Sequence, residues 1–168
     1  MQGVRLNSRC LKEKPQHGIR EIIDCLSPEI SQLYCAIHGG VLMYSSRGKS
    51  LSEVEIQRLD REYDQYLLEE LGRVGTEVRD LKLFQPGFLH RFRDYLYGDW
   101  TRFYFLEVKI PLSTIQPWSK ELPSGCQILA CCADAAYWEV FVCTSTLLAR
   151  LKDTFAEAIA CRFDDSAG

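Results

Sequence analysis

The stretch Ser27-Pro-Glu-Ile-Ser-Gln-Leu-Tyr-Cys-Ala-Ile-His-Gly-Gly40 decides how the first half of this 168-residue chain is read. Ser27 offers a side-chain oxygen to unpaired backbone N–H groups. Pro28 suits the first helical position, and Glu29 suits the positive helix end. Ile30, Leu33, Tyr34 and Ile37 recur at helical spacing, so one face is apolar. Gly39 can take the left-handed conformation that ends a helix. The pattern predicts one complete helix over residues 27–39, then a short strand within 40–45.

Upstream, Ile19, Ile22, Ile23 and Leu26 carry helical spacing, so two helices are expected to meet at Ser27-Pro28. Residues 1–16 are polar and read as a loose segment. Downstream comes a turn at 45–48, then a long helix over 50–71 opened by Ser50-x-x-Glu53 and Ser52-x-x-Glu55. Its stripe is Ile56, Leu59, Tyr63, Tyr66 and Leu67, and its acidic residues, Glu69 and Glu70 among them, read as a solvated face. Residues 74–84 stay ambiguous. A short aromatic helix is expected over 86–98, with Phe88, Leu89, Phe92, Tyr95 and Leu96 on one side.

The second half turns to strands. Residues 102–110 alternate, with Phe103 and Phe105 on one side and Arg102 and Tyr104 on the other. Residues 111–125 hold Pro111, Pro117 and Pro123 and read as connecting chain. Strands at 127–132 and 137–143 are joined by Ala133-Asp-Ala-Ala136 as a hairpin. Thr144-Ser-Thr146 caps a final helix whose apolar face is Leu147, Leu148, Leu151, Phe155, Ala158 and Ile159; residues 164–168 are expected to fray. Helices first, strands later and no βαβ alternation predict an α+β fold. The expectation is a single domain over 1–168, with N-terminal helices packed on a mostly antiparallel sheet and a C-terminal helix.

A net charge of −3 supplies no clustered cations for nucleic acid. No apolar run approaches the roughly 20 residues that span a bilayer, so no membrane role is expected. The first ten residues lack the apolar core of a secretory signal, which points to the cytoplasm. Eight cysteines sit mostly among apolar neighbours, as in Leu129-Ala-Cys-Cys-Ala133, and read as buried free thiols.

Cys35 and His38, three apart on the expected helix, are the candidate nucleophile and base. The helix C-terminus there opposes a thiolate, which weighs against them. Adjacent Cys131 and Cys132 would face opposite sides of a strand, and His17, His38 and His90 are scattered, so no metal site is expected. No phosphate-cradling or dinucleotide motif is present, so no cofactor is expected. Arg91 and Arg93, interleaved with His90, Phe92, Tyr95, Tyr97 and Trp100, form a candidate nucleic-acid contact that also reads as an ordinary amphipathic helix.

Three stretches resemble the SUKH superfamily. Leu26-Ser-Pro-Glu-Ile-Ser-Gln-Leu-Tyr-Cys-Ala-Ile-His-Gly-Gly40 is similar to its Leu-Pro entry, aromatic-centred helix and Asn-Gly-Gly-like stop. Here His38 stands in place of the Asn, and Leu-Ser-Pro in place of Leu-Pro. Gln127-Ile-Leu-Ala-Cys-Cys-Ala-Asp-Ala-Ala-Tyr-Trp-Glu-Val-Phe-Val142 is similar to its hairpin, and Asp153-Thr-Phe-Ala-Glu-Ala-Ile159 to its closing helix. The centre of the chain has no counterpart. The resemblance implies an α+β binding protein that neutralises a toxin or defence effector, as immunity proteins and viral antagonists of host defence do. Under that reading Asp134, Tyr137 and Glu139 around the hairpin, with Glu69 and Glu70, are the candidate contacts for a protein partner. A cysteine-dependent enzyme and a nucleic-acid-binding module stand as the alternatives.

Overall fold

A computed structural model describes residues 1–27, 29–39, 41–42, 45–46, 49–50, 52–54, 57–58, 81–87, 89–90, 93–98, 100–117, 119–134 and 136–165. Its strands are β1 (Gln2–Leu6), β2 (Tyr34–His38), β3 (Val41–Leu42), β4 (Ser45–Ser46), β5 (Lys49–Ser50), β6 (Leu81–Phe84), β7 (Leu96–Tyr97), β8 (Thr101–Leu106), β9 (Cys126–Ala133), β10 (Tyr137–Val142) and β11 (Ile159–Arg162). Two helices have defined bounds, α1 (Ile19–Leu26) and α2 (Ser145–Thr154). The fold is α+β. Seven strands form one sheet in the order β11-β1-β10-β9-β8-β2-β6, and every neighbouring pair is antiparallel.

Both faces of this sheet are covered, which is why β8, Thr-Arg-Phe-Tyr-Phe-Leu, is buried along its whole length. On one face Val4, Leu6, Cys35, Ile37, Phe103, Phe105, Ile128, Trp138 and Val140 share an apolar cluster with Ile19, Ile22, Ile23 and Leu26 of α1 and Leu147 and Leu151 of α2. The four α1 side chains are fully buried, and each contributes about 1.5–3 kcal/mol. On the other face Ala36, Leu83, Tyr104, Leu106, Leu129 and Phe141 pack with Leu112 and Ile115 from the proline-bearing connection after β8. Phe103 and Phe105 therefore oppose Arg102 and Tyr104 as the alternation predicts, and Cys131 and Cys132 enter opposite clusters.

The stretch that opened the sequence reading folds differently. Among its described residues only Ile30–Gln32 is helical, as a single 3-10 turn, and Tyr34–His38 is β2, paired with β8 on one side and β6 on the other. Tyr34, Leu33 and Ile37 satisfy a helical stripe, but Cys35/Ile37 and Tyr34/Ala36 also satisfy strand alternation. Two waiting strands and two apolar layers decide between them. Gly39 is left-handed as expected (φ +74°), but it ends a strand.

Other expectations are corrected too. Residues 2–6 are not loose: β1 lies between β10 and β11. The closing helix stops at Thr154, and Ile159 opens β11 instead of lining the helix. The expected helix over 86–98 breaks into helical residues 89–90, a 3-10 turn at Arg93–Tyr95 and β7, which pairs with β3. A 3-10 turn, Phe163–Asp165, runs into the segment 164–168 expected to fray, and Phe163 just before that segment packs edge-on against Phe141. Most of the long acidic helix, including Glu69 and Glu70, falls outside the described residues; Glu53, Val54, Gln57 and Arg58 are helical.

Candidate partner-binding surface

One end of the sheet gathers the most unusual backbone. β2 ends there, β8 begins there, and the β9–β10 hairpin turns there. Among the described residues, two non-glycine positions have positive φ: Trp100 (47°) and Asp134 (49°). Trp100 directly precedes Thr101, whose partner across the sheet is Cys132; Asp134 lies two residues past Cys132. The two strained residues thus sit on neighbouring strands at the same end. Left-handed backbone costs an L-residue roughly 1–2 kcal/mol, and a bulky aromatic there is a true outlier. Both side chains are exposed, Trp100 at 55%.

The surroundings hold this conformation. The Trp100 carbonyl presses on Gly39, where an added Cβ would meet it at 2.6 Å. The Cys132 thiol donates to the Gly98 carbonyl at 3.3 Å. A Cβ on Gly98 would strike the Trp138 ring at 2.5 Å. Trp138 is fully buried, and its indole N–H donates to the Pro15 carbonyl. The left-handed backbone at Trp100 is thus flanked by two closely packed glycines, Gly39 against its carbonyl and Gly98 two residues before it.

Tyr137 begins β10 beside Asp134, and its ring carries the Arg5 guanidinium 4.7 Å from the centroid. Arg5 donates from Nε (3.1 Å) and Nη2 (2.7 Å) to Oε1 of Glu139. That hydrogen bond raises the Arg5 pKa above its ordinary value. The Glu139 side chain is 7% exposed against 41% for Arg5. Glu139, expected as a partner contact, is thus a structural counter-ion. Register explains its neighbours: Arg5, Glu139, Cys131, Arg102 and His38 follow one another across five strands on one face. Arg102 is buried and donates Nη1 to the Ser119 carbonyl at 3.2 Å.

The chemical alternatives find little geometry. Cys35 and His38 cannot meet as expected, because they lie three apart on a strand and point to opposite faces. Burial pushes the Cys35 thiol well above its ordinary value and Cys126 and Cys131 up to about 12; Cys25 and Cys143 are raised as well. Raised thiols make poor nucleophiles near neutrality. Arg91 lies outside the described residues. Arg93 is paired with Asp24 (2.8 Å) and donates to the His90 carbonyl at 3.0 Å. Among the described residues, no three His, Cys, Asp or Glu side chains are grouped to hold a metal, and no helix is long and apolar enough to cross a membrane.

Of the residues expected at a partner surface, the fold brings Asp134 and Tyr137 together at this sheet end and adds Trp100. The sequence marked Trp100 only as one of the aromatics around Arg91 and Arg93 and carried no signal for its backbone, because left-handed backbone normally advertises itself through glycine. No family model, no curated protein and no solved structure matches the chain.

Proposed function

We propose that this chain is a non-catalytic binding module of the immunity or defence-antagonist kind, similar to the SUKH superfamily, that neutralises a toxin or effector protein in the cytoplasm. In this reading α1 and the C-terminal α2 close one face of the sheet, and the sheet end carrying Trp100, Asp134 and Tyr137 meets the partner. The observation that carries it is the pair of strained, exposed non-glycine residues at one end of a rigid sheet. Strain that packing must maintain tends to mark functional sites. Trp and Tyr are the side chains that dominate binding energy at interfaces. A Trp side chain supplies large contact area at low conformational-entropy cost, and the exposed Asp134 carboxylate at the same sheet end favours a partner with a basic patch.

The hairpin has a strand, a short turn and an aromatic-bearing strand, the order that the resemblance implies. The resemblance is weakened at 27–40 and 153–159, where the expected helices are a strand and a helix end. Capture from native lysate on wild-type, W100A and D134K proteins tests the reading. The account predicts one specific protein retained by the wild type, depleted on both variants and inhibited in its own activity by the wild type. Equal retention on all three would refute the surface. A captured protein whose activity is untouched would refute neutralisation.

A further inference from the structure

At the opposite margin of the molecule a cleft of about 390 Å³ opens where α2 overhangs β1 and β11. Its lining includes Gln2, Leu148, Lys152, Ala160 and Arg162, and no acidic side chain. Gln2 and Arg162 are cross-strand partners, as are Val4 and Ala160. Val4 belongs to the face that α2 covers, so strand alternation puts Gln2, Ala160 and Arg162 on that face too. Lys152 lies one helical turn beyond Leu148 and so borders the same space. A guanidinium, an ammonium and a carboxamide thus converge from three elements. Lys152 and Arg162 enter no ion pair among the described residues.

Two like charges facing one cleft with no counter-ion among the described residues repel each other, and an anion between them relieves that repulsion. Lys152 also sits in the last turn of α2, where a cation complements the helix dipole. That role accounts for Lys152 alone; it does not account for Arg162 and Gln2 facing the same space from two strands. An arginine fork matches the oxygens of a phosphate, the lysine adds a point charge, and the carboxamide adds neutral donors. The volume exceeds a bare phosphate and falls within the range of small-molecule pockets. Leu148 and Ala160 offer apolar wall for an organic remainder. We infer that this cleft binds a small phosphate monoester, with Arg162 and Lys152 on the phosphate and Leu148 beside the attached group. The site lies apart from the proposed partner surface and does not depend on it.

The test uses the full chain labelled with nitrogen-15, titrated at fixed ionic strength with phenyl phosphate, inorganic phosphate and phenol. Saturable shifts are expected at the amides of Gln2, Lys152 and Arg162, tighter for phenyl phosphate than for phosphate, and absent for phenol. Affinity should rise with pH through about 6, where the monoester gains its second charge. K152Q and R162Q should each weaken binding about tenfold or more, as expected when a charged partner is removed. Both positions are exposed, so the variants should keep the wild-type spectrum elsewhere. Linear, unsaturable shifts, equal response to phenol, or affinity unchanged in both variants would overturn the assignment.

Discussion

Replacing Gly39 by alanine probes the region where sequence and structure part company. Two costs combine there. The backbone is left-handed at φ +74°, which disfavours any Cβ by roughly 1–2 kcal/mol. The new Cβ would also lie 2.6 Å from the Trp100 carbonyl oxygen, a backbone atom that cannot swing aside. Forcing an extra carbon into filled space adds about 1–3 kcal/mol. Gly87 supplies the control, because it is also left-handed (φ +79°) but its nearest contact is 3.7 Å away. G87A should therefore lose only the conformational part, roughly 1–2 kcal/mol, and G39A about 2–5 kcal/mol. Urea unfolding followed by circular dichroism reads both as midpoint shifts at constant slope. Equal losses in the two variants would refute the packing of Gly39 on Trp100 and, with it, the β2–β8 pairing at that end.

Four further outcomes follow from the same contacts. L151A, which empties a fully buried position of α2, should cost about 2–5 kcal/mol in urea unfolding; a loss below about 1 would contradict the docking of α2 on the sheet. R5M leaves the Glu139 carboxylate, 7% exposed, without its partner and should cost about 1–3 kcal/mol, more than the milder E139Q; a neutral R5M would contradict the pair. Because Cys35, Cys126 and Cys131 have raised folded pKa values, the unfolded chain releases protons first as pH climbs. Their contribution is full below the unfolded thiol value of about 8.5 and falls above it toward the folded values, so stability should decline between about pH 9 and 11; C126A/C131A should flatten that decline. At neutral pH a thiol reagent should label exposed Cys143 slowly and reach Cys35, Cys126 and Cys132 only on unfolding; fast modification of Cys35 would revive the enzyme reading.

Much of the second half of the fold was legible because its signals are local. Thr101 to Leu106 is a run of aromatic and apolar residues, Phe103, Tyr104, Phe105 and Leu106 among them, within a single strand. The β9–β10 pair needs only a short turn, and Thr144 accepts from the Leu147 N–H as a cap should. The first half depends on distant chain. β1 offers only two apolar side chains, Val4 and Leu6, with Arg5 between them, and its β10 partners lie more than 130 residues away. Tyr34–His38 is short enough to carry two periodicities at once, and only β6 and β8, both later in sequence, select the extended one. Asp134 and Tyr137 were visible as hairpin residues. The pairing of Glu139 with Arg5 was not legible, because Arg5 sits in a segment that looked unstructured. Trp100 was read only as an aromatic near Arg91 and Arg93, because its left-handed backbone and the fit of its carbonyl against Gly39 depend on the β2–β8 pairing.

The most direct measurement is the affinity of the purified captured protein for wild type and for W100A, read at matched salt. Removing a central aromatic anchor should cost about 2 kcal/mol or more, a weakening of about 30-fold. K152Q/R162Q, altered at the far margin, should bind that protein as the wild type does. An unchanged affinity in W100A would contradict the claim that this end of the sheet is where the protein works.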